Sequence, residues 1–363
     1  MKKEGKLLLL AVIITTLFGS LMIYSSSSVW SEYKFNDPYK YLKSQIIFLI
    51  IGYIIMLITS KFPYQNYKKL ANIIFIICTS LLILVLIPGI GTVRNGSRSW
   101  FGIGGFGIQP SEFTKLGLII FTSKYLSNNN KELKDIKKGV LPILLVLFII
   151  FTLIMLEPDF GTGIVIIITI IALLFISGVK MNFFIKIGIL GLIGIAILII
   201  IAPYRMERII SFINPWSDPL GSGFQIIQSL YAIGPGGLLG LGLGNSIQKH
   251  FYLPEPQTDF IFAIISEEFG FMGVLIVSIL FITIIYSGLK ISMNTENYFG
   301  KYLAFGITFG LAFQTILNLM VVVGLVPVTG VTLPFLSYGG SSLIISLTEI
   351  GILLNINRQN KNV

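Results

Sequence analysis

The sequence has one cysteine, Cys78, and one histidine, His250, which excludes several kinds of chemistry before any motif is read. A lone thiol inside an apolar block makes no disulfide framework and no thiolate pair for a metal, and it reads as packing. Zinc clusters and a Ser/His/Asp triad need partners that one histidine scarcely supplies. Charge is scarce as well, since Asp, Glu, Lys and Arg make up 12% of 363 residues, against roughly 25% in a typical soluble domain. So few charges leave too little polar surface for a chain that meets water on all sides.

Apolar residues take their place, at 54% of the chain. They arrive in blocks of about 17 to 25 residues, the length a helix needs to cross some 30 Å of hydrocarbon. Ten helices are expected, at about residues 7–24, 44–60, 70–88, 111–127, 139–156, 160–178, 185–202, 259–288, 300–325 and 340–356. The expected fold is an all-α integral membrane protein of about ten transmembrane helices, with one polytopic domain over 1–363. A long extracytoplasmic, non-helical loop, 203–258, falls between helices seven and eight. No fixed-period repeat or low-complexity linker divides the chain. Loops of this length are usually functional or disordered, and the aromatic and aliphatic residues of this one argue against disorder.

The net charge of +10 does not read as nucleic-acid binding, because no basic groove with interleaved aromatics accompanies it. The lysines cluster between the apolar blocks instead. With a cytoplasmic amino terminus, the loops at Lys61–Lys69, Ser127–Lys138, Lys180–Lys186 and Lys290–Lys301 and the tail after Asn355 share one side. That is the side the positive-inside rule makes cytoplasmic, so both termini are placed there. The first block, after Lys2, Lys3 and Lys6 and before a run of serines, also has the layout of a cleaved signal. Its apolar length suits a span better, and losing it would leave an odd number of helices against the charge pattern.

Four polar groups are too costly near hydrocarbon to be incidental. In the first, Arg94 to Phe101 leads through a Gly-rich turn to Gln109-Pro110-Ser111-Glu112-Phe113-Thr114-Lys115. Pro110 suits a helix start, Ser111 is a candidate N-cap, and Glu112 and Lys115 share a face and can pair. That pair shapes a polar cavity or is a plain interfacial ion pair, while Trp100 alone suits any membrane interface. The second group is Glu157-Pro158-Asp159, where two carboxylates suit a cation or simply cap a turn. The third is Arg205 and Arg208, whose guanidinium groups fit a lipid diphosphate or ordinary phospholipid phosphates. In the fourth, Thr258 is read as a cap and Asp259 as an acid in the first turn of the eighth helix, with Glu267 and Glu268 deeper. The glycines at 234–237 and 240–244 lack a nucleotide-binding context and read as loop flexibility. Those at 188, 191 and 194 read as sites of close helix packing.

Several longer motifs occur together and in order. They are Asn95-Gly96-Ser97-Arg98-Ser99-Trp100, Gln109-Pro110-Ser111-Glu112-Phe113, Pro158-Asp159-Phe160-Gly161-Thr162, Gly221-Ser222-Gly223-Phe224-Gln225, Tyr252 through Ala263, and Pro327 through Ser342. In these the chain resembles the SEDS family of shape, elongation, division and sporulation proteins, from about Tyr24 to Asn355. The stretches Asn214–Pro219 and Gln228–Ala232 resemble the FtsW branch more than the RodA branch, without separating division from spore-cortex members. Phe160 stands where relatives often have Leu.

The resemblance implies a peptidoglycan glycosyltransferase of the bacterial plasma membrane. It would polymerise lipid II, the undecaprenyl diphosphate-linked disaccharide-pentapeptide, into glycan strands at the outer face. The implied partners are a class B penicillin-binding transpeptidase and the division or sporulation machinery, besides membrane lipid. The family's essential aspartate maps to Asp259, the expected catalytic base of an inverting transfer. Arg98, Trp100, Glu112, Lys115, Asp159, Arg205 and Arg208 are the substrate-binding candidates. No cofactor is demanded, although a divalent cation such as magnesium or manganese could bridge the diphosphate to Glu157, Asp159 or Asp259. A lipid II flippase is the alternative, and it would need charges lining a path through the bilayer. The candidates crowd the outer side instead, apart from Glu349. A non-catalytic scaffold is the third possibility.

Overall fold

The computed structural model describes residues 2–94, 97–103, 106–201 and 203–360. Helices dominate: α1 (Lys3–Phe35), α2 (Lys40–Lys61), α3 (Tyr64–Leu86), α4 (Pro110–Asn128), α5 (Leu141–Leu156), α6 (Phe160–Ile176) and α7 (Met181–Ile201) form the first part. They are followed by α8 (Pro203–Ile213), α9 (Phe224–Ile233), α10 (Ile261–Met293), α11 (Tyr298–Val322) and α12 (Gly340–Gln359). A three-stranded antiparallel sheet of β1 (Thr92–Arg94), β2 (Ser97–Ile103) and β3 (Phe106–Ile108) joins α3 to α4. The chain is an all-α integral membrane protein. Among the described residues, seven helices are long and apolar enough to cross a membrane: α1, α2, α3, α5 with its leading turn, α10, α11 and α12. The helix α6 and the Met181–Gly194 part of α7 are apolar but shorter, and α4 carries Glu112, Lys115 and Lys124. Each of the ten expected blocks contains a helix, and seven of them qualify as spans by length and composition.

Several boundaries move, each for a physical reason. The first helix continues through the serine run because those hydroxyls are satisfied within the bundle. Ser26 and Ser27 donate back to the Ile23 carbonyl, and the Ser25 hydroxyl donates to Glu268 of α10 at 2.6 Å. The 33 residues of α1 make a helix of about 50 Å at 1.5 Å per residue, which outreaches the hydrocarbon layer, whereas the 33 residues of α10 fall into two parts at Gly270. The 203–258 segment is not a non-helical loop, since α8 and α9 lie within it. Tertiary contacts stabilise so short a helix as α9, which buries Ile226, Ile227 and Ala232 and donates the Ser229 hydroxyl to the Val322 carbonyl of α11.

Two expected caps are corrected. Ser111 lies inside the first turn of α4, whose cap position is Gln109 with Pro110 following. The eighth apolar block becomes helical only at Ile261, so Thr258 and Asp259 precede it, and the Thr258 hydroxyl donates to the Glu255 carbonyl instead. Asp159 does cap α6, accepting from the Thr162 amide at 3.2 Å. At the centre, α12 is almost wholly buried. Glycines bring it against α2, with Gly340 on Phe48, Gly52 on Leu347 and Gly351 on Met56. Gly188, Gly191 and Gly194 of α7, expected at a close contact, face open space.

The largest departure from expectation is at the glycine-rich stretch. Gly270 takes a left-handed φ of 58° and breaks the hydrogen-bond ladder of α10. The amides of Phe271 and Met272, which a continuous helix would send to Glu267 and Glu268, donate to the carbonyls of Gly237 and Leu238 at 2.9 and 3.1 Å. The freed carbonyls of Glu267 and Glu268 accept from the amides of Leu241 and Gly242 at 2.9 and 3.0 Å. The side chains lock the same segment: Glu267 accepts from the Ser246 hydroxyl and the Ile247 amide, and Glu268 pairs with Lys249 at 3.3 Å. The segment is therefore fixed in place against the helix, and at Gly236 and Gly240 a Cβ would meet the Ser266 and Glu268 carbonyls of α10.

Gly240 has a φ of 76°, and an added Cβ would collide with the Glu268 carbonyl, whereas Gly234 has open space around it. Gly240→Ala is expected to lower stability by about 2 kcal/mol or more and Gly234→Ala to change it little, as read by thermal unfolding in detergent. Equal melting temperatures for the two variants would contradict the lock.

Candidate functional site

The local sequence explains how the site is assembled. Pro110 starts α4 and turns its first residues toward the α5–α6 turn, where Pro158 and the Asp159 cap end one helix and begin the next. The carboxylate of Asp159 accepts from the Gln109 side-chain amide at 2.9 Å and the Ser111 hydroxyl at 3.0 Å. Burial raises the Asp159 carboxyl above its ordinary range, and hydrogen bonds from Thr162 and Ser111 pull partly against it. Ser97 of β2 donates to the Glu157 carbonyl, which ties the small sheet to the same turn. The first two polar groups, well separated in sequence, are thus one structural unit.

Glu112 and Lys115 pair as their spacing implies, at 2.9 Å, and they are buried rather than interfacial. Lys115 also donates to the Gln314 side-chain oxygen of α11 at 2.7 Å, and the Gln314 amide donates to the Thr332 carbonyl at 3.0 Å. One turn further along α11, Asn318 donates to the backbone carbonyls of Asp259 and Val331 at 2.7 and 2.8 Å. Residues four apart on a helix share a face, so this one face joins the ion pair to the carbonyl of the candidate base. The half-buried Asp259 has a carboxylate oxygen 2.9 Å from the Thr258 hydroxyl, whose one proton it shares with the nearer Glu255 carbonyl. Gln314 and Asn318 were missed in the sequence. Two amides in an apolar helix at i and i+4 were the available signal.

The remaining candidates sit as follows. Arg98 and Trp100 lie on β2, half-buried, with the Trp100 carbonyl accepting from Thr92. Arg205 and Arg208 lie on α8, and their side chains fall outside those described. Glu349 of α12 is buried and acts electrostatically on Lys115, with one carboxylate oxygen lacking a protein partner. Both carboxylate oxygens of Glu157 are likewise buried without a partner, and burial, with the nearby Asp159 adding to it, pushes its pKa up to about 9. Among the described residues no three His, Cys, Asp or Glu side chains converge as a metal cage would require.

Comparison with known proteins follows the whole chain. The family model described as "cell cycle protein", covering FtsW, RodA and SpoVE, matches residues 5–362. Stage V sporulation protein E of Bacillus subtilis (strain 168) is 50% identical over 97% of both chains. A probable peptidoglycan glycosyltransferase FtsW of Geobacter sp. (strain M18) is 41% identical over 96% of this chain and 95% of its own. Among solved structures, one described as "structural coordination of polymerization and crosslinking by a peptidoglycan synthase complex" superposes with a TM-score of 0.80, at 28% identity and 97% coverage of both chains. The rod shape determining protein RodA of Thermus thermophilus superposes with a TM-score of 0.73, at 26% identity, over 98% of this chain and 97% of its own.

The raised pKa of Glu157 has a measurable sign. Between its ordinary 4.5 and about 9 the folded protein holds a proton that the unfolded chain releases, so stability falls as pH rises through that window. Glu157→Gln, neutral at every pH, is expected to flatten the fall in melting temperature from about pH 5 to 9 and to be the more stable protein at pH 8. A wild-type melting temperature that rises across the same range, unaltered by the substitution, would refute the assignment.

Proposed function

The chain belongs to the family of cell cycle proteins that includes FtsW, RodA and SpoVE; it is a peptidoglycan glycosyltransferase, and we propose that it polymerises lipid II into glycan strands at the outer face of a bacterial plasma membrane. Both termini are then cytoplasmic, as the lysine distribution argues. The role is in division or spore-cortex synthesis, and a class B penicillin-binding protein supplies the crosslinking partner. In support, a solved relative belongs to a complex that joins polymerization and crosslinking.

The observation that carries the chemistry is the setting of Asp259. Its backbone is clamped by Asn318 and one carboxylate oxygen lies beside the Thr258 hydroxyl, while the side chain stays half-exposed at the end of the long loop. A carboxylate so held can take the proton of an acceptor sugar hydroxyl as that oxygen bonds to the anomeric carbon of the donor and the undecaprenyl diphosphate departs. With one base and no covalent partner, the transfer inverts the anomeric centre. Arg205 and Arg208 are assigned to the diphosphate charge; Lys115, buried and held by Glu112 and Gln314, is assigned with Arg98, Trp100, Glu112 and Asp159 to shaping the substrate cavity instead of to direct diphosphate contact. Among the described residues no three such side chains converge, so a magnesium or manganese ion, were one bound, would take most of its ligands from diphosphate and water, with Asp259 or Asp159 the protein carboxylates that could join them.

A lipid II flippase is the competing reading, favoured by the buried, partly unpartnered Glu349 deep in α12. The variant Asp259→Asn keeps shape and removes basicity. With partner present, its polymerisation of defined lipid II is expected to fall by about 10²- to 10⁴-fold. Near-normal strand synthesis by that variant would remove Asp259 from the mechanism, and transport without any synthesis by the wild type would favour the flippase. Arg205→Ala and Arg208→Ala are expected to weaken lipid II binding, and unchanged affinity in both would dismiss the diphosphate contacts.

A further inference from the structure

The exchange of backbone bonds at Gly270 has a counterpart on the surface. On its N-terminal side, Ile261 to Glu268 are buried in the protein, none more than 4% exposed. Immediately after Gly270 the helix turns apolar side chains outward: Phe271 is 57% exposed, Met272 42%, Ile276 47% and Ile279 53%. This is the face that meets lipid in a span, and some 20 residues counted back from the helix end at Met293 reach the level of Phe271. Hydrocarbon on the loop's side therefore begins close to the break. Leu238 and Leu239 are 69% and 77% exposed, and they lie beside Phe271 and Met272 through the shared backbone bonds. Two leucines so open to water would form a costly apolar patch, but here they continue a surface already facing lipid.

Non-helical backbone survives at membrane depth only where its polar groups are satisfied. Much of this segment's backbone is paired in that way: the Gly240 amide donates to the Gly236 carbonyl, those of Leu241 and Gly242 donate into α10, and the carbonyls of Gly237 and Leu238 accept from it. We infer that the segment from Gly236 to Gly242 is a re-entrant wedge that inserts Leu238 and Leu239 into the acyl chains of the adjacent phospholipid leaflet. The wedge fixes the depth of the long loop, and with it the height of Asp259 above the hydrocarbon. The inference stands on backbone pairing and exposure, and it holds whether or not Asp259 is the base.

Depth-dependent fluorescence quenching tests it. In a protein whose only native cysteine is removed by Cys78→Ala, single labels enter through Leu239→Cys, through Leu220→Cys in an 89% exposed loop position, and through Ile282→Cys on the lipid-facing span. Each protein is reconstituted into phosphatidylethanolamine–phosphatidylglycerol vesicles with nitroxide lipids, then exposed to aqueous iodide. The label at 239 is expected to follow the one at 282, quenched strongly by nitroxide lipid and weakly by iodide, with or without a transpeptidase in the vesicle. Behaviour matching the label at 220 would overturn the wedge, as would loss of nitroxide quenching on adding the transpeptidase, which would make the patch a protein contact. Leu238→Cys gives the same reading should the variant at 239 not assemble.

Discussion

The hydrogen bonds exchanged between the broken helix α10 and the glycine loop hold the functional half of the molecule together. A kink in a membrane helix strands amides and carbonyls where no water can reach them, and each stranded group costs on the order of 1–3 kcal/mol or more. Here both sets are taken up by one loop, since Phe271 and Met272 donate to it and Glu267 and Glu268 accept from it. The loop then runs through Lys249 and Leu253 to Asp259 and re-enters α10 at Ile261. Both ends of the segment that carries Asp259 are therefore anchored to the same helix. A residue often read as a helix breaker is what allows the loop to be placed at all.

Buried charge reinforces this arrangement at a cost that explains its detail. Removing carboxylates from water costs several kcal/mol each unless their oxygens are fully met. Glu268 has Lys249, the Ser25 hydroxyl and the Ser246 amide, and Glu267 has the Ser246 hydroxyl and the Ile247 and Gln248 amides. Ser25 comes from α1 and Lys249 from the loop, so one pair of adjacent acids joins three distant parts of the chain. By the same measure Glu157, with neither oxygen met, is the anomaly of the α5–α6 turn, and with its pKa pushed up to about 9 it keeps its proton near neutral pH.

Much of this was legible in the sequence, and the failures have a common cause. Apolar length gave the helices, because the bilayer imposes that length locally. The Glu112–Lys115 pair and the Asp159 cap followed from spacing within one turn. What could not be read was any polar group whose partner lies far along the chain. The serine run looked like a helix end because Ser25 finds Glu268 only in the fold. The glycine run looked flexible because its partners are backbone atoms of a helix not yet known to break. Thr258 looked like a cap because local chemistry could not reveal that the helix waits until Ile261. Arg205 and Arg208 follow the seventh helix on α8, a helix in a stretch that reads as loop in the sequence.

The face of α11 shows why the candidate site behaves as a unit. Gln314 and Asn318 each spend both amide hydrogens or an oxygen on groups from different elements: Lys115 of α4, the carbonyls of Val331 and Thr332, and the carbonyl of Asp259. One helix carries both amides, so a displacement of α11 would alter the geometry of all four bonds together. The charge of the Glu112–Lys115 pair and the position of Asp259 are thereby set by the same body.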